Sequence, residues 1–276
     1  MIEFYKMNGS GNDFVLIDNR DRSLAVGDVV AFVQRVCARK VSVGADGLIL
    51  IEKSDKVDFK WRFFNADGSE VEMCGNGGRC AARFAFLSGI AGPRLSFETV
   101  AGIIDAEVTG DTVKLRLPDP RNLVAEDRIR IDAEELIVSS INTGVPHVVH
   151  FVRDPDTFDV FSTGRAIRYH EHYRPAGTNA NFAAVIDGHT LRVRTYERGV
   201  EDETLACGTG SVASALIAAC RGLVESPVDV RVQSGETLRI HFERGAGGFE
   251  KVYLEGKTKV VYQGRLWDEA WIQKGE

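Results

Sequence analysis

Apolar positions along this chain follow two rhythms, and the changes between them mark out short strands and a few helices. Segments 182–186 and 191–197 alternate apolar and polar residues around Asp187-Gly188, which predicts a β-hairpin. Segments 103–108 and 112–117 repeat that pattern around Thr109-Gly110-Asp111, and 238–243 and 249–254 flank a glycine-rich loop at 244–248. Residues 28–39 carry apolar side chains at helical spacing behind Asp28, a residue suited to capping. Two segments follow neither rhythm. Residues 211–220 (SVASALIAAC) are small or apolar on every side, and 79–87 (RCAARFAFL) nearly so. A helix with no polar face is normally buried all round. The pattern therefore predicts an α/β chain of the α+β kind, strand-rich, with strands wrapped about a central helix in each half.

The halves echo one another. Asn8-Gly9-Ser10-Gly11 returns as Asn142-Thr143-Gly144, and Gly44-Ala45-Asp46-Gly47 as Gly177-Thr178-Asn179-Ala180. Cys74-Gly75-Asn76-Gly77 returns as Cys207-Gly208-Thr209-Gly210, and Thr99-Val100-Ala101-Gly102 as Gln233-Ser234-Gly235. All four echoes keep one order and an offset of 133 or 134 residues. A single glycine-turn match is commonplace, but four in register point to a duplicated architecture. The proline-rich stretch 117–122 is the best boundary, giving halves of 1–117 and 118–262, with 263–276 expected to pack back on the first.

Composition changes little in this picture. Hydrophobic residues make up 44% and charged residues 27% of the 276 positions, an ordinary globular balance. A formal net charge of -6 gives no basic footprint, so nucleic acid is not the expected partner. No run approaches the roughly 18 apolar residues of a membrane helix, and the first residues do not read as a secretory leader. The expected compartment is the cytoplasm, without a membrane partner.

The chemistry lies in the cysteines. Cys37, Cys74, Cys80, Cys207 and Cys220 show no metal-ligand spacing, so no metal is expected. Cys37, Cys80 and Cys220 sit inside apolar helical stretches and read as core. Cys74 and Cys207 differ from them: each precedes Gly-x-Gly and then an apolar helix. A thiol at a helix N-terminus meets unpaired N–H groups and the positive end of the helix dipole, which favour the thiolate. The same N–H groups can receive a carboxylate. Two such thiols at equivalent repeat positions suit proton exchange alpha to a carboxylate, with one base for each face of the carbon. Other candidates are bland when read alone. His147, Asn12, Asn65, Asn76 and Asn179 read as turn, cap or structural residues, and Glu197-Arg198 as a surface ion pair. Gly9-Ser10-Gly11 lacks the context of a phosphate loop.

The stretches MNGSGNDFVLID (7–18), FNADGSEVEMCGNGGRCAARF (64–84), NTGVPH (142–147), GTNANF (177–182) and YERGVEDETLACGTGSVASA (196–215) together resemble the diaminopimelate epimerase family over essentially the whole chain. That resemblance implies a homodimer whose subunit has two similar barrels, each around a helix, with the active site in the cleft between them. It implies interconversion of LL- and meso-2,6-diaminopimelate, toward lysine and cell-wall peptide, with no pyridoxal cofactor. Cys74 and Cys207 become the two catalytic bases, with His147 and Glu197 assisting beside the reacting centre. Gly75, Asn76, Gly208 and Thr209 would offer backbone N–H groups to the reacting carboxylate. Asn12, Asn65, Asn179, Glu197 and Arg198 match substrate-binding positions, and Tyr262 a dimer contact. The chain departs from many members at Val145, where asparagine is common, and from some at Gly47, where glutamine occurs. Two alternatives stay open: a racemase of the proline racemase or hydroxyproline epimerase type, and a dithiol redox protein cycling Cys74 and Cys207.

Overall fold

A computed structural model of the chain describes residues 1–22, 24, 26–245 and 247–272. In chain order its first elements are β1 (Ile2–Gly9), β2 (Asn12–Asp18), α1 (Val29–Cys37), β3 (Gly47–Glu52), β4 (Phe59–Asn65) and β5 (Glu70–Val71). Then come α2 (Gly75–Leu87), β6 (Arg94–Thr99), β7 (Gly102–Thr109), β8 (Thr112–Arg116), β9 (Arg121–Ile131), β10 (Glu134–Asn142) and β11 (Pro146–Phe151). The remainder comprises α3 (Val160–Tyr169), β12 (Asn179–Asp187), β13 (Thr190–Glu197), β14 (Asp202–Thr204), α4 (Gly208–Cys220), β15 (Val228–Arg231), β16 (Thr237–Gly245), β17 (Gly248–Lys257) and β18 (Lys259–Leu266).

Packing divides the chain into two units. One runs from Met1 to Leu115 and resumes at Gly256, and the other is Arg116–Glu255. Against expected crossings after 117 and 262, the chain crosses after Leu115 and Glu255. The return is the earlier because β18 pairs with β1 along its length, from Ile2↔Leu266 to Asn8↔Lys259. Of the expected C-terminal stretch, 273–276 lie outside the described residues, as does Ala246 in the loop at 244–248.

The two units share one topology. In the first, β1 pairs antiparallel with β2, β2 parallel with β3, and β3 antiparallel with β4. Strand β4 then pairs parallel with β6, and β6 antiparallel with β7. The second repeats each relation with β10, β11, β12, β13, β15 and β16 in the same roles. Even the outer strand is matched, since β9 pairs with β10 as β18 does with β1. This is the duplication that the glycine and cysteine echoes predict.

Each unit is built around one apolar helix. Helix α4 buries every residue from Gly210 to Ala219 and touches strands β9 to β13, β15 and β16. Helix α2 is buried from Asn76 to Ala82 and touches β1, β2, β3 and β7. A second helix covers the outside of part of the sheet, and this explains apolar runs that do not alternate. In the FVLI run of β2, Phe14 and Leu16 face α2 while Val15 and Ile17 join the α1 cluster with Phe32, Val33 and Val36. A strand covered on both faces reads as a continuous apolar run.

Helix α1 is capped as expected, with Asp28 Oδ1 accepting the Ala31 N–H at 3.1 Å. The expected hairpins form as β7–β8, β12–β13 and β16–β17. Helix α3 has no counterpart in the sequence expectation. Gly164 sits at its middle, where a Cβ would come 2.4 Å from Tyr196 Cβ, so close packing imposes a residue that weakens the helical signal. Cys37 and Cys80 are core residues as expected, whereas Cys220, at the last turn of α4, is only half-buried.

Candidate active site

In the first unit, Cys74 occupies the cap of α2. Its backbone is extended, with φ -144° and ψ 120°, and its Sγ accepts the Gly77 N–H at 3.5 Å. The amides that open a helix have no intrahelical acceptor, so they are available to the cap sulfur and to a ligand. One turn on, the fully buried Arg79 turns back under the cap. Its Nη2 donates to Ser10 Oγ at 2.7 Å and to Asn76 Oδ1 at 2.9 Å. Asn76 Nδ2 donates to Asn12 Oδ1 at 2.8 Å, and Asn12 Nδ2 to Asp46 Oδ2 at 3.0 Å.

Charged groups hold the far end of this chain. Arg39 Nη2 lies 2.7 Å from Asp13 Oδ1 and 2.8 Å from Asp46 Oδ1, and Lys6 Nζ lies 2.7 Å from Asp13 Oδ2. Burial alone would raise the Asp13 carboxyl, but hydrogen bonds from Arg39 and Lys6 outweigh it and hold it below the ordinary range. Asn65 closes β4 opposite Gly47 and is exposed, with its Nδ2 donating to Ser69 Oγ at 3.2 Å.

In the second unit, Cys207 caps α4 with φ -112° and ψ 109°, and its Sγ lies 3.6 Å from Thr209 Oγ1. The same hydroxyl lies 2.9 Å from His147 Nε2. His147 is 1% exposed, and burial, aided by the Arg198 charge, pushes its imidazole down to about 3, so the ring is neutral. Burial pushes the Glu197 carboxyl up, against hydrogen bonds from Thr204 and from Cys207. The sulfur of Cys207 thus meets both a hydroxyl and a carboxyl of raised pKa.

Asn179 accepts the Arg198 N–H at 2.8 Å through Oδ1 and donates to Pro146 O at 3.0 Å through Nδ2, tying β11, β12 and the end of β13 together. Glu197 and Arg198 are not the surface ion pair expected of them. Thr204 Oγ1 donates to Glu197 Oε2 at 3.1 Å, and Arg198 Nη1 donates to Ala176 O at 2.9 Å. Tyr262 lies apart on β18, 44% exposed, with its ring edge-on to Phe4.

Each unit therefore gathers its own share of the predicted residues: Asn12, Asn65, Cys74, Gly75 and Asn76 in one, and His147, Asn179, Glu197, Arg198, Cys207, Gly208 and Thr209 in the other. Sequence reasoning passed over Arg79, Asp46 and Asn181, which orient them. A signal existed for two of these: Arg79 is the one charge at the start of an apolar helix, and Asn181 is a polar residue on the core-facing side of a strand. Val145 is half-buried, and its carbonyl accepts the Thr143 N–H at 3.2 Å. At Gly47 a Cβ would come 2.5 Å from Phe64 O and 2.6 Å from Phe63 Cε2, which explains the absence of a side chain there. Among the described residues, no group of His, Cys, Asp and Glu is arranged to ligate a metal, and no helix is long and apolar enough to cross a membrane.

Comparison with known proteins bears on the family and the fold. The family model described as diaminopimelate epimerase matches residues 4–120 and 139–261. A diaminopimelate epimerase from Aquifex aeolicus is 49% identical over 97% of this chain and 99% of its own length. One from Archaeoglobus fulgidus is 45% identical over 96% of each. Among solved structures, a probable proline racemase from Agrobacterium radiobacter shares the fold at a TM-score of 0.71 and 13% identity, covering 97% of this chain and 93% of the other. A phenazine biosynthesis protein of the PhzF family from Bacillus anthracis does so at 0.70 and 14%, covering 96% and 99%. With two cysteine-capped helices in a duplicated fold, and a family match over most of its length, the chain belongs to the diaminopimelate epimerase family.

Proposed function

We propose that the chain interconverts LL- and meso-2,6-diaminopimelate without a cofactor, with Cys74 and Cys207 exchanging the roles of base and acid. The observation that carries this reading is the equivalence of the two thiols. Each is the extended cap of a thirteen-residue buried helix, at the same place in the same topology.

The thiolate of one cysteine takes the α-hydrogen as a proton, forming S–H as the C–H bond breaks. The electron pair left on carbon delocalises into the adjacent carboxylate. The other cysteine, as a thiol, returns a proton to the opposite face, and the reverse reaction exchanges the roles. An amino-acid α-hydrogen is weakly acidic, so the developing carboxylate charge needs donors already in place. The opening amides of α2 and α4, at Gly75, Asn76, Gly208 and Thr209, are such donors.

Glu197 beside Cys207, with its raised pKa, is suited to exchanging a proton with that thiol. Asn12, Asn65, Asn179 and Arg198 hold the substrate, including its distal amino-acid end, where the rigid fork of an arginine matches a carboxylate. The protein works in the cytoplasm as a homodimer. Tyr262 and Val261, exposed on β18, provide apolar surface for the dimer contact.

The test is incubation of reduced protein with LL-diaminopimelate in deuterated water, following the α-hydrogen by NMR. Deuterium incorporation with conversion to the meso form is expected, and loss of conversion in Cys74→Ser and Cys207→Ser. Exchange with proline or hydroxyproline but not with diaminopimelate would move the activity to the racemase class. Turnover that depends on a Cys74–Cys207 disulfide would make the protein a redox carrier.

A further inference from the structure

The second unit fixes the position of one hydrogen atom. Asn181 on β12 is fully buried, with Thr195 Oγ1 donating to its Oδ1 at 2.9 Å and its Nδ2 donating to Val148 O at 2.8 Å. A backbone carbonyl only accepts, so the NH2 end of this amide must face β11. His147 Nδ1 lies 3.2 Å from the same NH2 group. An amide NH2 does not accept hydrogen bonds, so Nδ1 must be the acceptor and carry no hydrogen. In a neutral ring the hydrogen is then on Nε2, which faces Thr209 Oγ1 at 2.9 Å. The hydroxyl oxygen accepts from the ring through one of its lone pairs, and its own hydrogen is free to turn onto the Cys207 sulfur at 3.6 Å.

We propose that Asn181 is a positioning residue: it holds His147 as the Nε2–H tautomer, which makes the ring a donor to Thr209 and turns the Thr209 hydroxyl hydrogen onto Cys207. The inference rests on the two-cysteine reading and sharpens the part His147 plays in it. The only lone pair of the ring is closed by Asn181, so His147 orients a hydrogen bond and does not take the proton of Cys207. Glycine at 210 makes room for the device, since a Cβ there would come within 2.2 Å of Asn181 Oδ1. Thr143 steadies it by donating to Thr209 O at 3.0 Å. The ionisable groups nearby are Glu197, which meets the same sulfur, and Arg198, whose charge opposes protonation of the ring.

The first test needs no activity. Nitrogen NMR of protein labelled at histidine, with His147 assigned from a His147→Gln variant, is expected to show a hydrogen-free Nδ1 and a protonated Nε2. That pattern should persist from about pH 8 to about pH 5. The opposite tautomer overturns the proposal.

The second test follows the pH dependence of Cys207 alkylation by iodoacetamide, read on the Cys207 peptide. Thr209→Val is expected to leave the tautomer unchanged and to leave roughly threefold to tenfold less thiolate at fixed pH, and Thr209→Ser to restore it. Asn181→Asp, which sets an acceptor against Nδ1, is expected to move the hydrogen to Nδ1 and weaken the thiolate similarly. Should that variant not fold, the wild-type tautomer and the Thr209 pair still decide. Epimerisation by the wild type with an unchanged Cys207 profile in Thr209→Val would sink this inference and spare the proposed function. The expected spectra and profiles without epimerisation would do the reverse.

Discussion

Asn76 donates to Asn12 across 2.8 Å, and the direction of that bond is set at both ends by groups that cannot reverse it. Arg79, at one end, only donates, and Asp46, at the other, only accepts. An isolated pair of amides could flip, but this pair has one arrangement. Within this network each NH2 group uses one hydrogen, and under the proposed function the second is the one offered to a substrate oxygen.

Arg79→Met should therefore act on binding and on stability together. It leaves Asn76 Oδ1 and Ser10 Oγ, both buried, without their donor, a loss of roughly 1–3 kcal/mol. Urea denaturation is expected to show that loss, and steady-state kinetics a rise in KM larger than the fall in kcat. Arg79→Lys should recover only part of either, because one ammonium replaces a planar fork. An unchanged KM in a folded Arg79→Met protein would separate this chain of bonds from substrate binding.

The neutral His147 implies a stability profile. Its folded pKa of about 3 lies below the ordinary 6.5, so the unfolded chain takes up this proton first as pH falls. The contribution to stability is present above about pH 6.5 and is lost as pH drops toward about 3, by up to ~1.4 kcal/mol per pH unit. Glu197, whose pKa is raised, contributes in the opposite sense, gaining stability as pH falls. The difference between wild type and His147→Gln cancels the Glu197 contribution. Parallel stability-versus-pH curves for the two proteins would contradict a neutral buried ring.

Much of the site was legible because its chemistry recurs. Cys74 and Cys207 stood out through a shared Cys-Gly-x-Gly context at one offset, and both prove to be helix caps. The central helices were legible for a related reason, since an apolar segment with no polar face has nowhere to lie except inside. What could not be read was the wiring between distant residues. Asn12 to Asp46 and His147 to Asn181 each span more than thirty residues, and strand pairing alone brings them together. Repetition even misleads at this point. The position equivalent to Asp13, amid Lys6 and Arg39, is His147, which lies in a neutral network.

Burial also predicts which thiols stay silent. Burial pushes the Cys37 thiol up to about 12, so almost none of it is thiolate near neutral pH. Native protein treated with iodoacetamide should leave Cys37 unmodified, and labelling there should follow global unfolding in urea. Labelling of Cys37 at a rate comparable with Cys74 in native protein would show that α1 opens locally.

Gly47 is one of the two departures that the family resemblance points to, the other being Val145. Gly47 opens β3 between Phe14 of β2 and Asn65 of β4. A Cβ would meet Phe64 O at 2.5 Å, and that carbonyl belongs to the backbone of β4, so a rotamer change cannot relieve the clash. Either the strands separate locally or the substitution is resisted. Gly47→Ala is expected to cost roughly 1–3 kcal/mol in urea denaturation, and Gly47→Gln at least as much. Val145→Asn makes the opposite comparison, because Val145 is only half-buried and meets Thr143 through its backbone carbonyl, which any residue supplies. That change should stay within about 0.5 kcal/mol of wild type. If Gly47→Gln were neutral while Val145→Asn unfolded the protein, the close approach of β3 and β4 at Gly47 would not be what keeps a side chain out. If the costs fall as expected, strand packing is what keeps a side chain out of position 47, and the proposed function leaves the distal substrate end to Asn12, Asn65, Asn179 and Arg198.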